Sequence, residues 1–87
     1  MKRGDDLSVL GPMGVKWLST RAIRCLKNPL NVYTGAHVFP PVLTLGDLCD
    51  TNADEWTLLK VGDLGRKTEA EIRVARDRVR VALQQGK

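Results

Sequence analysis

Eighty-seven residues, 43% hydrophobic and 28% charged, allow one small domain around a single core and exclude both a multi-domain enzyme and a disordered tail. The net charge of +4 is unevenly spread: residues 1–27 carry six Lys/Arg against two acids, 28–61 one against four, and 62–87 seven against four. Two basic ends that meet in the fold would make one electropositive face suited to a polyanion, and a solvated surface is the plainer reading of the same count.

No apolar run exceeds the three residues Val81-Ala82-Leu83, so no segment can span a bilayer or form the apolar part of a secretory leader, and a cytoplasmic location is expected. Residues 1–6 are polar and expected to fray, leaving a single domain over 7–84 and a tail at 85–87. An apolar cluster at Leu7, Val9 and Leu10 leads into the turn-prone Gly11-Pro12-Met13-Gly14. Ser19 or Thr20 can cap a helix to about Lys27, with Ala22, Ile23 and Leu26 on one face, and Asn28-Pro29 ends it because proline disfavours the helical conformation in the residue before it.

Residues 28–44 hold three of the four prolines and the only Tyr and Phe, with no helical period, and read as a long loop in which Val32-Tyr33 and Val38-Phe39 can pair around Thr34-Gly35. From Thr44, Leu45, Leu48 and Cys49 suit a short helix. Asn52 and Glu55 have capping-box spacing for a further helix carrying Trp56, Leu58 and Leu59. The longest helix is expected from about Arg66 to Gln84, with Thr68 and Glu71 as its capping box and Ile72, Ala75, Val79, Ala82 and Leu83 as its apolar stripe. Arg66, Arg73, Arg76 and Arg80 fall on an adjacent stripe, either a phosphate-facing rail or a solvated face.

The richest stretch is Leu58-Leu59-Lys60-Val61-Gly62-Asp63-Leu64-Gly65-Arg66-Lys67-Thr68, where a short helix enters a glycine-punctuated turn and then a second helix: a helix-hairpin-helix pattern. Gly62 and Gly65 would let the backbone turn tightly and approach a ligand, and the unpaired amides at the next helix start would hold a DNA phosphate beside Lys67 and Thr68. A plain inter-helix turn is the alternative. A P-loop fits worse, since the spacing differs and no strand precedes it. Leu7 to Gly14 repeats the apolar and glycine spacing of Leu58 to Gly65, which keeps a double helix-hairpin-helix of repair or recombination type in view.

Catalysis finds little support: the lone His37 sits in the proline-rich loop, the acids are scattered, and no metal or cofactor motif is present. Cys25 and Cys49 lack metal-site spacing and are expected as buried thiols, and Trp17 and Trp56 as core.

Taken together, Leu18-Ser19-Thr20-Arg21-Ala22-Ile23-Arg24-Cys25-Leu26-Lys27, Leu45-Gly46-Asp47-Leu48, and Leu58-Leu59-Lys60 with Asp63-Leu64-Gly65-Arg66-Lys67-Thr68 and Glu71-Ile72 resemble the C-terminal domain of the bacterial RNA polymerase alpha subunit, over about residues 5 to 80. The resemblance implies an all-α bundle of four to five short helices containing a helix-hairpin-helix, with the 28–44 loop as an insertion roughly ten residues longer than the family's connection, a cheap change on a surface. It implies a non-catalytic module that needs no cofactor, binds A+T-rich double-stranded DNA in the minor groove, and contacts sigma factor, activators or RNA polymerase. By position, Arg21 would reach into the groove, Cys25 would lie near the DNA backbone, and Gly65, Lys67, Thr68 and Glu71 would form the hairpin side, with Arg24, Gly62 and Arg66 completing the surface.

Three departures bear on DNA preference: Arg24 and Asp63 each stand where the family has asparagine, and Thr68 replaces serine but keeps a hydroxyl. The polymerase-assembly domain of an alpha subunit does not precede this unit, so a free-standing relative or one domain of a longer chain is expected. A protein-interaction module of the transcription machinery that has lost DNA binding is the second expectation.

Overall fold

Asp6 supplies the first cap of the chain: its carboxylate accepts from the Ser8 amide and turns Leu7–Leu10 into a single 3-10 turn whose Leu7 and Leu10 are buried. The computed structural model describes residues 1–51, 54–62 and 64–85. Four α-helices follow the turn: α1 Thr20–Lys27, α2 Leu45–Asp50, α3 Glu55–Leu59 and α4 Arg66–Gln85. Among the described residues there are no strands, only three isolated bridges, so the all-α expectation holds.

Each short helix starts on a side-chain cap, as the chemistry of Ser, Thr and Asp predicts. Ser19 Oγ accepts from Ala22 N at 3.2 Å at the head of α1. Thr44 and Asp47 form a reciprocal capping box on α2. Asp54 caps α3 through the Thr57 amide at 2.8 Å, so the expected Asn52–Glu55 box gives way to a cap two residues later; Asn52 itself lies outside the described residues. The Thr68–Glu71 box is also not formed: α4 begins at Arg66, which places Thr68 inside its first turn, and Glu71 reaches another element.

Helix α4 is the axis of the molecule, contacted by α1, α2 and α3. Its Ile72, Ala75 and Val79 are buried against Leu26 of α1, Leu48 of α2 and Leu58 of α3 in one core that also takes Leu7, Leu10, Leu18 and Val42. Ala82 and Leu83 lie at the half-buried margin. Glu69 is 2% exposed and paired with Arg73 one turn on. Trp56 is 70% exposed on the outer side of α3 because Leu58 takes the core position, with Lys60 Nζ 5.3 Å from the ring centre. Trp17 is half-buried beneath Arg78.

The N-terminal residues are not frayed. Asp5 and Arg3 offer their carbonyls to the Leu45 and Gly46 amides at 3.0 and 2.8 Å, Leu7 N reaches Leu43 O at 3.0 Å, and Arg3 is paired with Asp50. Residues 3–7 therefore lie as a strap across the start of α2. A Cβ on Gly46 would sit 3.2 Å from Arg3 O, so the strap lies close because that residue is glycine. At the other end α4 runs one residue past expectation, to Gln85. No helix among the described residues is long and apolar enough to cross a membrane.

The 28–44 segment is a loop, as expected, but in a different register. Leu30 bridges to His37, Val38 N bonds Pro29 O at 2.8 Å, and Asn31 N bonds Ala36 O at 2.7 Å, so Val32 and Tyr33 form the turn instead of a strand arm. Asn31 decides this: its Oδ1 accepts from both the Tyr33 and Thr34 amides, an Asx turn that Gly35 completes at φ +73°.

Candidate nucleic-acid interface

Helix α1 buries Ala22, Cys25 and Leu26 and turns Arg21 and Arg24 to solvent. Across from them lies the chain leaving α3. The Cys25 thiol donates to Gly62 O at 3.8 Å, joining the middle of α1 to the turn before α4. Cys25 is 6% exposed, so its contribution is to pack α1 against the turn. Arg21, Arg24, Cys25 and Gly62 thus line one open cleft of about 680 Å³.

A second clamp fixes the angle between α1 and α4. The Glu71 carboxylate accepts from the Ser19 amide and, at 3.4 Å, from the Ser19 hydroxyl, so an acid of α4 caps the entrance of α1. Glu71, expected on the DNA side, is committed to this internal contact. Its pairing joins the entrance of α1 to the second turn of α4.

At the start of α4, Gly65 O accepts from Glu69 N at 2.9 Å, while Gly65, Arg66 and Lys67 are exposed and Thr68 is half-buried. Among the described residues no acceptor is seated on the amides of Arg66, Lys67 and Thr68, the groups a helix start leaves without intrahelical partners. A Cβ at Gly65 would meet nothing within 4 Å, so the space there is open to an incoming ligand. Gly62 differs from expectation: its amide donates to Leu30 O at 2.9 Å, and both its backbone groups are used inside the fold. Asp63 lies outside the described residues.

The arginine stripe of α4 is divided by its partners. Arg66 is exposed at the cationic end; Arg73 pairs with buried Glu69; Arg76 is half-buried; Arg80 donates to Cys49 O at 2.8 Å, satisfying one of the last carbonyls of α2. At the distal end of the expected rail, Arg80 therefore joins α4 to α2. Cys49, beside Arg80, is half-buried, and burial pushes its thiol above the ordinary range.

Sequence reasoning missed the far wall of the cleft. Leu30, Asn31, Val32 and Gly35 of the loop line it together with the two arginines, because Val32 N bonds Lys60 O at 3.1 Å and Asn31 bridges to Val61. The Asn31-to-Gly35 turn chemistry was a visible signal; the pairing with 60–62 had none. The upstream Gly11–Gly14 turn is closed on itself. Gly11, Gly14, Val15 and Lys16 give their amides to Ser8, Gly11, Val9 and Gly11 carbonyls, and a Cβ on Gly14 would fall 1.8 Å from Val9 O. Four amides of this turn are thus used inside the fold and are not offered to a phosphate. The described residues contain no group of three or more His, Cys, Asp or Glu placed to hold a metal.

Comparison with known proteins finds no matching family model, no matching curated protein and no matching solved structure.

Proposed function

We propose that the chain is a non-catalytic DNA-binding module resembling the alpha C-terminal domain, which reads A+T-rich duplex through the minor groove and contributes to transcription or its regulation beside sigma factor, activators or RNA polymerase. In this reading α3, the turn and α4 act as the helix-hairpin-helix. The observation that carries it is the cleft in which Arg21 and Arg24 of α1 face Gly62 of the turn, two sequence blocks 37 residues apart joined through Cys25. The chemistry follows from that placement. A narrow A+T-rich groove concentrates negative potential and attracts an inserted guanidinium, here Arg21. The start of α4 supplies outward amides and the charges of Arg66 and Lys67 for a flanking phosphate. Arg24 adds a second cation for the backbone, and Cys25 and Glu71 hold the two helices at the working angle.

The test is an amide-shift titration of labelled protein with an A+T-rich duplex at low and then moderate salt. Arg21, Arg24 and Gly65 to Thr68 should move together and revert with added salt, with log affinity falling by roughly 3 to 4 per decade of salt for about four phosphate contacts. No movement at these amides, or an affinity indifferent to salt and to Arg21→Ala, would sink the reading.

A protein-interaction module is the second reading, favoured by exposed Val32 and Tyr33 at the loop tip and by the Gly62 amide being taken up internally. Retention of a polymerase or sigma component that is lost on deleting residues 30–37, with no DNA binding, would select it.

A further inference from the structure

Residues 28–43 contain no Asp, Glu, Lys or Arg, yet they are seated between the cationic side of α1 and the turn before α4. The tip of this neutral projection is braced. Asn31 Oδ1 holds the amides of Tyr33 and Thr34, Gly35 N returns to Asn31 O at 2.9 Å, and the stem is fastened to Lys60 and Gly62. At the tip Val32 is 61% and Tyr33 88% exposed. A large aromatic side chain held out in water at the end of a hydrogen-bonded loop does nothing for the core. Val32, beside it at the tip, lines the cleft that carries Arg21 and Arg24, and among the described residues no acid lines that cleft. Cationic groups with an adjacent uncharged wedge are what minor-groove proteins use to enter the groove and open a base step.

We propose that Tyr33 is a wedge for duplex DNA: with Arg21 in the minor groove, the loop tip lies along the same groove and the Tyr33 ring enters a neighbouring base step, partly unstacking it. This deepens the DNA-binding reading and rests on it. Duplex DNA is the occupant because the wall facing the loop is cationic and the loop brings no charge to repel phosphates. The loop's internal hydrogen bonds mean that the tip is already shaped, so ordering it on contact costs little.

The experiment uses the whole chain and an A+T-rich duplex with 2-aminopurine at its central steps. Wild-type protein should raise the probe's fluorescence as it binds. Tyr33→Ala should abolish the rise and weaken binding by roughly 5- to 100-fold, the range of an aromatic–base contact, while leaving the salt slope unchanged. Tyr33→Phe should keep both signals. Arg21→Ala should instead lower the salt slope by about one. Because Tyr33 is outside the core, its variants should melt like wild type, which separates a lost contact from a lost fold. Salt-sensitive binding with no fluorescence rise, or with Tyr33→Ala equal to wild type, overturns the wedge and leaves the DNA reading standing. Absence of binding by wild type, with the loop instead required to retain a protein partner, overturns both.

Discussion

Helices α2 and α4 begin in opposite ways. The first three amides of α2 are all taken by the chain itself: Leu45 by Asp5 O, Gly46 by Arg3 O, Asp47 by Thr44 Oγ. The start of α4 carries Gly65, Arg66 and Lys67 at the surface, with nothing among the described residues seated on its first-turn amides. A helix start closed by its own chain contributes stability and is spent; one left open beside two cations retains the capacity to hold an anion. On the DNA-binding reading proposed above, the difference places the binding surface at one end of the molecule and architecture at the other.

Changes that break the closed end should act on stability alone. Leu48→Ala, which empties a fully buried position on α2, should cost about 2–5 kcal/mol in urea unfolding. Glu71→Ala tests the joint between the two regions: it removes the carboxylate from Ser19, should cost ~1.5–3 kcal/mol, and should weaken DNA binding through the lost α1–α4 angle without changing the salt slope. Thr44→Ala should cost ~1 kcal/mol by removing a cap, with no change in DNA affinity measured at a fixed folded fraction. At the open end, Lys67→Ala should leave stability within about 0.5 kcal/mol and reduce the salt slope by about one.

The smallest effect concerns acid. Hydrogen bonds from Ser8 and then Lys27 hold the Asp6 carboxyl at about 2, below its ordinary 3.8. Since the folded value is the lower one, its contribution is present above about pH 3.8 and lost as pH falls through about 2. The Ser8 amide shift should therefore titrate with a midpoint near 2, and in Asp6→Asn it should not titrate there at all.

The helices were legible because their signals are local. Ser19, Thr44 and the Ile72, Ala75, Val79 stripe each declare an element within one or two turns of chain. The misreadings share one cause, a local pattern whose partner is distant. Thr68 and Glu71 have capping-box spacing, but Glu71 bonds Ser19, 52 residues away. Asp5 and Arg3 look like a loose end until Leu45 and Gly46 arrive to take their carbonyls. Arg80 resembles a surface charge and is a cap for α2. Of the candidate site, Arg21, Arg24, Gly65, Arg66 and Lys67 were placed at the surface as expected, whereas Cys25, Gly62 and Glu71 act behind it. The loop wall was illegible because nothing in residues 28–44 marks Lys60 and Gly62 as its partners.

Two backbone hydrogen bonds, Gly62 N to Leu30 O and Val32 N to Lys60 O, tie the loop and the turn into a single mechanical piece. A ligand on the loop tip would therefore load residues 60–62, the stretch of chain that precedes α4. If a ligand at the loop tip changes the affinity at the start of α4, a ligand there must change the affinity at the tip by the same factor, since linkage is reciprocal. A loop that looks like an ornament on a small bundle is thereby tied into one wall of the cleft that carries Arg21 and Arg24.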